Sequence, residues 1–220
     1  MADNSSSQRG IFIVFEGLDR AGKSTQAELL ARDLNAVLIK FPNYETQIGS
    51  IIKDYLQGKI TLDPVVRHML FSTNRWEAQM DIYNTLMSGR NIVCDRYTYS
   101  GIAYTIADGY SYEWSTLHDN GLIAPDEVIY IDINPRIAAT RGNYGYDITE
   151  RLDFQEKVYD VYRSFKNTGW KVIQGNDEVF NIYQKIKIYI NEGFKINKYN
   201  YNIRYLLYDS NTRKIKFNEI

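Results

Sequence analysis

One eight-residue segment constrains this chain more than any other part of its sequence: GLDRAGKS, residues 17–24. It matches the P-loop pattern, follows the apolar run IFIVFE, and precedes a stretch with helical periodicity. Its glycines let backbone N–H groups turn inward around phosphate oxygens, and a helix start adds partial positive charge. The alternative is a tight strand-to-helix turn that binds nothing, and both flanks argue against it. The segment therefore predicts an α/β fold with a phosphate site.

Apolar runs typical of strands alternate with helical periodicities along the rest of the chain. Four further strands are predicted at AVLIKF, NIVCD, EVIYIDI and WKVIQ. Asp63-Pro64 predicts a helix start, and this helix is expected to run to about Ser88-Gly89. Strands separated by helices predict a five-stranded parallel sheet covered by helices on both faces.

The predicted domain covers residues 11–194, with no linker or internal repeat inside it. Residues 1–10, MADNSSSQRG, are polar and are predicted to form a disordered lead-in rather than a signal peptide. The extension 195–220 is rich in Asn, Tyr and Lys. Within it, Ile203 to Tyr208 is expected to form a strand or a docking patch, and the extension is either ordered or a loose tail.

Composition narrows the partners and the compartment. The 26 basic and 27 acidic residues give a net charge of -1, which argues against a nucleic acid partner. No apolar run approaches membrane-spanning length, so no membrane partner is expected. Cys94 is the only cysteine, which excludes an intrachain disulfide. A reducing compartment fits, and the cytoplasm is predicted with the nucleus as the alternative.

The P-loop predicts the ligands of a nucleotide triphosphate. Lys23 is expected to reach the β- and γ-phosphates, and the Ser24 hydroxyl to ligate Mg²⁺. Thr25 either joins them or only occupies the first helical turn. The loop alone leaves GTPases, motor-type ATPases and small-molecule kinases open, although the guanine-reading Asn-Lys-x-Asp motif is absent from the sequence. The predicted ATP phosphate site comprises Gly17, Asp19, Arg20, Ala21, Gly22, Lys23, Ser24 and Thr25.

Two other segments supply candidate ligands. Asp95 and Arg96 follow a predicted buried strand, at the sheet edge where ligands bind in such folds. The carboxylate can hold Mg²⁺ and the guanidinium can clamp a phosphate, although a strand-end ion pair is the alternative. Phe71 and Arg75 share a helix face, with Asn74 beside them, and predict a nucleobase pocket. A core Phe and a solvated Arg are the alternative there.

These segments together resemble the thymidylate kinase family of the eukaryotic and poxviral type. The resemblance covers about Ile11 to Ile190 and rests on FEGLDRAGKST, Phe41-Pro42, LFSTNRWE, CDRYTYSGIAY and GLIAPD. It implies a P-loop nucleoside monophosphate kinase fold. It also implies an ATP:dTMP phosphotransferase that uses Mg²⁺ and forms dTDP and ADP. Family members are commonly homodimers that pack the helix region 64–88, which implies a homodimer here.

The resemblance also implies roles for individual residues. Asp19 is expected to bond the 3′-hydroxyl of dTMP, Arg20 to reach the transferring phosphoryl group, and Tyr104 to crowd the 2′ position. The implied catalytic residues are Arg20, Lys23, Asp95 and Arg96, and the implied metal ligands are Ser24 and Asp95. The implied dTMP site comprises Asp19, Phe41, Pro42, Tyr44, Phe71, Asn74, Arg75, Arg96, Tyr97, Ser100, Gly101, Tyr104 and Glu150. The implied lid is about 141–150, and the implied adenine side comprises Arg141, Gln174, Gly175 and Asn176.

Two positions depart from the family pattern. Tyr44 stands where relatives usually have an Arg that helps bind the dTMP phosphate, and Thr149 precedes Glu150 where a tyrosine is usual. Three alternative functions therefore accompany the main one. They are a broader deoxynucleoside monophosphate kinase acting on dUMP, dGMP or analogues, a nucleotide-binding protein with little turnover, and a plain P-loop ATPase.

Overall fold

A parallel sheet forms the centre of the molecule, with strand order β2-β3-β1-β4-β5. Its strands are β1 Phe12–Glu16, β2 Val37–Lys40, β3 Ile92–Asp95, β4 Glu127–Asp132 and β5 Lys171–Gln174. All four neighbouring pairs run parallel, so the predicted five-stranded sheet is confirmed. The structure, a computed structural model, describes residues 8–142, 145–165, 169–196, 199, 202–209 and 214–219.

Helices connect these strands and cover the sheet. They are α1 Lys23–Asp33, α2 Gln47–Leu56, α3 Pro64–Glu77, α4 Gln79–Met87, α5 Thr98–Ala107, α6 Tyr112–Leu117, α7 Pro135–Ala138, α8 Leu152–Ser164 and α9 Val179–Lys195. Within the described ranges, none of the helices is long and apolar enough to cross a membrane.

The central strand β1 feeds two apolar cores, one on each side of the sheet. All five of its residues are buried, and successive side chains of a strand point to opposite faces. Ile13 and Phe15 pack with residues of α1, α5, α8 and α9. Phe12 and Val14 pack on the other face, where Leu86 of α4 joins them. Helices therefore cover both faces, as predicted.

The helix predicted from Pro64 to about Ser88-Gly89 is two helices, and this prediction was wrong. Its start is as expected, because the Asp63 side chain accepts a hydrogen bond from the Val65 N–H and Pro64 occupies the first helical position. The break lies at Ala78. There the Arg75 carbonyl accepts bonds from the Ala78 N–H at 3.3 Å and from the Gln79 side chain at 3.0 Å, which tightens the turn.

The folded part of the chain begins earlier than the expected boundary at Ile11. Of the predicted lead-in, residues 1–7 lie outside the described residues, but Arg9 and Gly10 are buried. The Arg9 guanidinium forms an ion pair with Asp126 at 2.7 Å, and the Gly10 N–H donates to the Leu86 carbonyl at 2.8 Å. The polar composition of the segment concealed this pairing, because its partners lie far along the chain.

The described part of the C-terminal extension is an ordered hairpin. Strands β6 Arg204–Asp209 and β7 Lys214–Glu219 pair antiparallel, so a strand forms where Ile203 to Tyr208 predicted one. The backbone of Leu206 bonds the Leu122 carbonyl at 2.8 Å and the Gly121 N–H at 2.9 Å. Its side chain is buried in the same core as Phe12 and Val14.

Candidate active site

A cleft of about 770 Å³ opens at the carboxyl ends of the parallel strands. Its walls come from the P-loop, from the segments after β2 and β3, and from helices α2, α3, α5 and α8. Ligands of open α/β sheets bind at this edge. Among the predicted site residues, those that line the cleft are Asp19, Arg20, Ala21, Gly22, Lys23, Ser24, Thr25, Phe41, Pro42, Tyr44, Phe71, Arg75, Asp95, Arg96, Tyr97, Ser100, Gly101, Tyr104, Arg141 and Glu150.

The P-loop has the backbone geometry of a phosphate cradle. Gly17 and Gly22 have φ values of 145° and 97°, and α1 begins directly after Gly22. A Cβ atom at Gly17 would lie 2.7 Å from the Ile131 carbonyl oxygen, so only glycine fits there. Gly17 itself does not line the cleft. Its contribution is the turn that directs the following N–H groups and the helix N-terminus toward the site.

Lys23 is buried at the base of the loop. Its ammonium donates to the Leu18 carbonyl at 2.5 Å. Burial lowers the pKa of Lys23 to about 7, and the neighbouring Arg96 charge acts in the same direction. Both effects disfavour an extra positive charge in the cleft. An anion bound in the loop would relieve them.

Ser24 and Asp95 meet beside the loop. The Ser24 hydroxyl donates to Asp95 Oδ2 at 2.5 Å, and Asp95 Oδ1 is buried with no hydrogen-bond partner among the described residues. The described residues contain no cluster of three or more His, Cys, Asp or Glu side chains. Two protein oxygens are nevertheless a suitable set for Mg²⁺, which usually keeps waters and takes its remaining ligands from phosphates.

Asp19 and Arg96 form a buried ion pair at the centre of the cleft. Asp19 also accepts hydrogen bonds from the Tyr104 hydroxyl at 2.8 Å and the Gln155 amide at 2.9 Å. Burial alone would raise the pKa of Asp19, but the charges of Arg96 and Lys23 outweigh it and lower the pKa. The carboxylate is therefore charged and fixed in position.

Arg96 is held at the end of β3 by contacts on several sides. Its backbone is left-handed, with φ 69°, and its N–H donates to the Phe15 carbonyl at 3.0 Å. One guanidinium nitrogen donates to the Gly17 carbonyl at 3.0 Å and to the Ser100 hydroxyl at 3.1 Å. Such a conformation persists only where surrounding contacts enforce it.

Glu16 supplies much of that enforcement, and the sequence analysis missed it. Its carboxylate is fully buried and accepts from the N–H groups of Tyr97 and Ser100, at 3.0 and 3.2 Å, at the start of α5. It also accepts from the hydroxyls of Ser100 at 2.6 Å and Tyr162 at 3.0 Å. A charged residue at the end of an otherwise apolar strand was the available signal.

Arg20 faces the lid segment. Its guanidinium pairs with the buried Glu150 carboxylate, Nε to Oε1, at 2.8 Å. The other Glu150 oxygen accepts from the backbone N–H groups of Gly145 and Tyr146 at 2.7 and 3.0 Å. The described residues of the lid, 141–142 and 145–150, are thus linked to the P-loop through one carboxylate.

The helix α3 wall differs from the expected nucleobase pocket in one residue. Phe71 and Arg75 line the cleft, and Arg75 is held by a buried ion pair with Asp119 at 2.8 Å. Asn74 does not line it. Its side chain accepts from the Asn43 N–H at 2.7 Å and donates to the Thr46 hydroxyl at 3.0 Å. Asn74 therefore supports the loop after β2, and Asp119 had no signal in the local sequence.

The adenine-side residues also sit differently from expectation. Gln174, Gly175 and Asn176 do not line the cleft, whereas Asp177, Glu178 and Val179 directly after them do. Arg141 links the two regions, because its guanidinium donates to the Arg20 carbonyl at 2.8 Å and to the Gly175 carbonyl at 2.6 Å. The predicted segment was therefore about three residues early.

This fold and this cleft define a P-loop kinase of the nucleoside monophosphate class, with a phosphate cradle facing a second anion site at the strand ends. The chain belongs to the thymidylate kinase family, whose family model, described as thymidylate kinase, matches residues 15–186.

Individual relatives agree with this assignment. A thymidylate kinase of Schizosaccharomyces pombe is 48% identical over 178 residues, covering 77% of this chain and 85% of the relative. One of Arabidopsis thaliana is 43% identical over 190 residues, covering 84% and 72%. The solved structure of thymidylate kinase from Candida albicans superposes with a TM-score of 0.79 at 32% identity, covering 95% of this chain and 98% of that chain.

Proposed function

We propose that this chain transfers the terminal phosphoryl group of ATP to the phosphate of dTMP, giving ADP and dTDP. The carrying observation is that one cleft contains two positively charged sites, the P-loop with Lys23 and the strand-end Arg96. A P-loop ATPase needs only the first. The second suits a phosphorylated acceptor, and family membership identifies this acceptor as dTMP.

On the donor side, the P-loop amides and Lys23 would hold the ATP phosphates. The Ser24 hydroxyl and the Asp95 carboxylate would hold Mg²⁺, which would neutralise part of the phosphate charge. Arg141, tied to the Arg20 carbonyl, would form the wall beside the adenine. Thr25, which is exposed in the first turn of α1, is placed to assist at the phosphates.

On the acceptor side, Arg96 would bind the dTMP phosphate. Asp19, fixed by Tyr104 and Gln155, would accept a hydrogen bond from the 3′-hydroxyl, and Tyr104 would leave no room for a 2′-hydroxyl. Phe71 would stack on the base. Phe41, Pro42, Tyr44, Tyr97, Ser100, Gly101, Arg75 and Glu150 would complete the dTMP site.

Arg20 would act on the phosphoryl group in flight. It lies in the P-loop between the two charged sites, and a guanidinium there meets the charge that develops during transfer. Its present partner Glu150 belongs to the lid, so lid closure and the position of Arg20 are coupled. A closed lid would also keep water from accepting the phosphoryl group.

An acceptor panel tests this function. ADP release coupled to a dye should require an acceptor and should be fastest with dTMP among dTMP, dUMP, dGMP and dAMP. Lys23→Met should abolish it. ADP release without acceptor would instead indicate an ATPase, and binding of both nucleotides without dTDP would indicate a nucleotide-binding protein.

We also infer a homodimer, because α3 and α4 present an apolar stripe to solvent. Val66, Met69, Trp76 and Met80 are 45%, 43%, 42% and 67% exposed, and exposed patches of this kind mark interaction sites. Sedimentation should give a dimer for the wild type and a monomer for a Met69→Glu, Met80→Glu variant. A monomeric wild type at micromolar concentration would contradict the inference.

A cytoplasmic location is inferred from Cys94, which is buried and unbridged. A chain without disulfides suits a reducing compartment. Fractionation of cells expressing the tagged chain would test this location.

A further inference from the structure

Helices α3 and α5 lie antiparallel and form the floor of the acceptor half of the cleft. Arg75 lies beside Gly101, where an added Cβ would be 2.7 Å from its guanidinium. One turn of α5 further on, His68 Nδ1 and Thr105 Oγ1 lie 2.7 Å apart. The groove ends at Asp108, about 10 Å from Gly101 at the helical rise.

The far end of this groove is polar. Arg67 and Asp108 form an ion pair there, with side chains 18% and 22% exposed. Arg67 also donates to the Tyr55 hydroxyl at 2.6 Å. All three residues line the cleft, so the end of the cleft offers both hydrogen-bond donors and an acceptor.

A second observation indicates that this end receives a polar ligand group. His68 lines the cleft, is only 3% exposed, and its Nε2 has no hydrogen-bond partner among the described residues. Burial, together with the nearby Arg75 charge, lowers the pKa of His68 to about 3, so the ring is neutral. A buried polar atom without a partner costs stability, and such an atom commonly marks a functional position.

The spacing on α3 leaves room for such a group. Phe71 lies one turn from Arg75 on one side and one turn from Arg67 on the other. A single-ring base stacked on Phe71 with its polar edge toward Arg75 would cover the first turn only. The turn that carries Arg67 would stay open to a substituent on the opposite part of the ring.

We propose that Arg67 and Asp108 form a subsite for a short hydroxyl-bearing substituent on the pyrimidine ring. This inference rests on the function proposed above. The chain would then phosphorylate 5-hydroxymethyl-dUMP in addition to dTMP. A hydroxyl fits the pair because it accepts from the guanidinium and donates to the carboxylate, whereas a charged substituent would meet a like charge on one of them.

Two isosteric substrates test the subsite. 5-Hydroxymethyl-dUMP and 5-ethyl-dUMP have side groups of equal heavy-atom number, so their kcat/KM ratio reports the hydrogen bonds rather than size. The wild type should prefer the hydroxymethyl compound by about tenfold or more, since sites built to bond a hydroxyl reject the analogue lacking it. Arg67→Met and Asp108→Leu should bring the ratio to about one.

Each ratio is measured within one variant, so a general loss of activity cancels. Lys187→Met is the matched control, because Lys187 pairs with Asp33 across α1 and α9 outside the cleft; it should keep the wild-type ratio. If Asp108→Leu does not fold, Asp108→Asn replaces it and should lower the ratio toward one.

Three outcomes would overturn the subsite: equal rates for both analogues in the wild type, rejection of both while dTMP is used, or an unchanged preference in the Arg67 and Asp108 variants. Rejection of both would mean that the ion pair closes the groove. Failure to phosphorylate dTMP would instead overturn the proposed function, so the two failures are distinguishable.

Discussion

Arg20 of the P-loop and Glu150 of the lid segment form an ion pair of 2.8 Å, and the carboxylate in this pair is buried. The same carboxylate accepts two backbone N–H groups of the lid. One acidic side chain therefore fixes the lid relative to the residue best placed to meet the transferring phosphoryl group. Lid position and catalytic charge are coupled in this arrangement.

Replacing Arg20 by alanine should depress kcat on the order of 10³-fold, because a guanidinium supplied to the phosphoryl group stabilises mainly the transition state. KM values for ATP and dTMP should change much less. Steady-state kinetics with both substrates would measure this. Arg136→Ala is the control, since Arg136 pairs with Glu156 on the surface. A raised KM with an unchanged kcat would contradict the assigned role.

Replacing Tyr44 by arginine should lower the KM for dTMP by about tenfold, because a second charge would join Arg96 at the phosphate. Tyr44 lines the cleft, and burial together with the nearby Asp147 raises its pKa to about 12, so the phenol contributes no charge. Tyr44→Phe separates the loss of the hydroxyl from the gain of charge. If Tyr44→Arg binds dTMP no more tightly than the wild type, the phosphate does not lie between Arg96 and this position.

ATP binding near pH 8 should take up a large fraction of one proton. Burial and Arg96 lower the Lys23 pKa to about 7 in the free protein, and bound phosphates would raise it again. Between about pH 7 and 10.5 the unfolded chain holds a proton that folded Lys23 lacks, so this residue makes the free protein more stable as pH rises through that window.

Titration calorimetry in buffers of different ionisation enthalpy would count these protons. Lys23→Arg is the matched control, because its side chain stays charged throughout and should abolish the uptake while keeping a cation. Equal uptake by the wild type and by Lys23→Arg would show that another group supplies the effect.

Replacing Arg9 by methionine should lower the free energy of unfolding by about 3–5 kcal/mol, because it leaves Asp126 charged, buried and without this partner. The two side chains are 4% and 2% exposed. Denaturant unfolding would measure the loss. In contrast, Lys59→Met should cost less than about 1 kcal/mol, since its pair with Asp54 is exposed. Similar values for both variants would contradict the structural role of Arg9.

Local signals carried much of the fold. The buried strand before the P-loop, the glycines within it and the Asp63-Pro64 helix start each depend on neighbours in sequence, and all three appear as predicted. The break at Ala78 was hidden, because it depends on the Gln79 side chain bonding the Arg75 carbonyl as well as the distant Ile123.

The candidate site shows the same division. Helical spacing placed Phe71 and Arg75 on one face, but it gave no indication that Asp119 would hold Arg75 or that Asn74 would turn toward the loop after β2. Glu16 shows the limit from the other side. The acid at the strand end was visible, but its four donors come from residues 81 to 146 positions away, and no local pattern records such pairs.

The hairpin at the end of the chain lies one residue away from the acceptor wall. Its backbone is bonded to Leu122, and the adjacent Ile123 accepts a hydrogen bond from the Tyr97 hydroxyl at 3.1 Å. Tyr97 lines the cleft. A chain truncated before Arg204 would lose the backing of this wall, so the tail acts as a built-in brace for the acceptor half, and affinity tags are better carried at the opposite terminus.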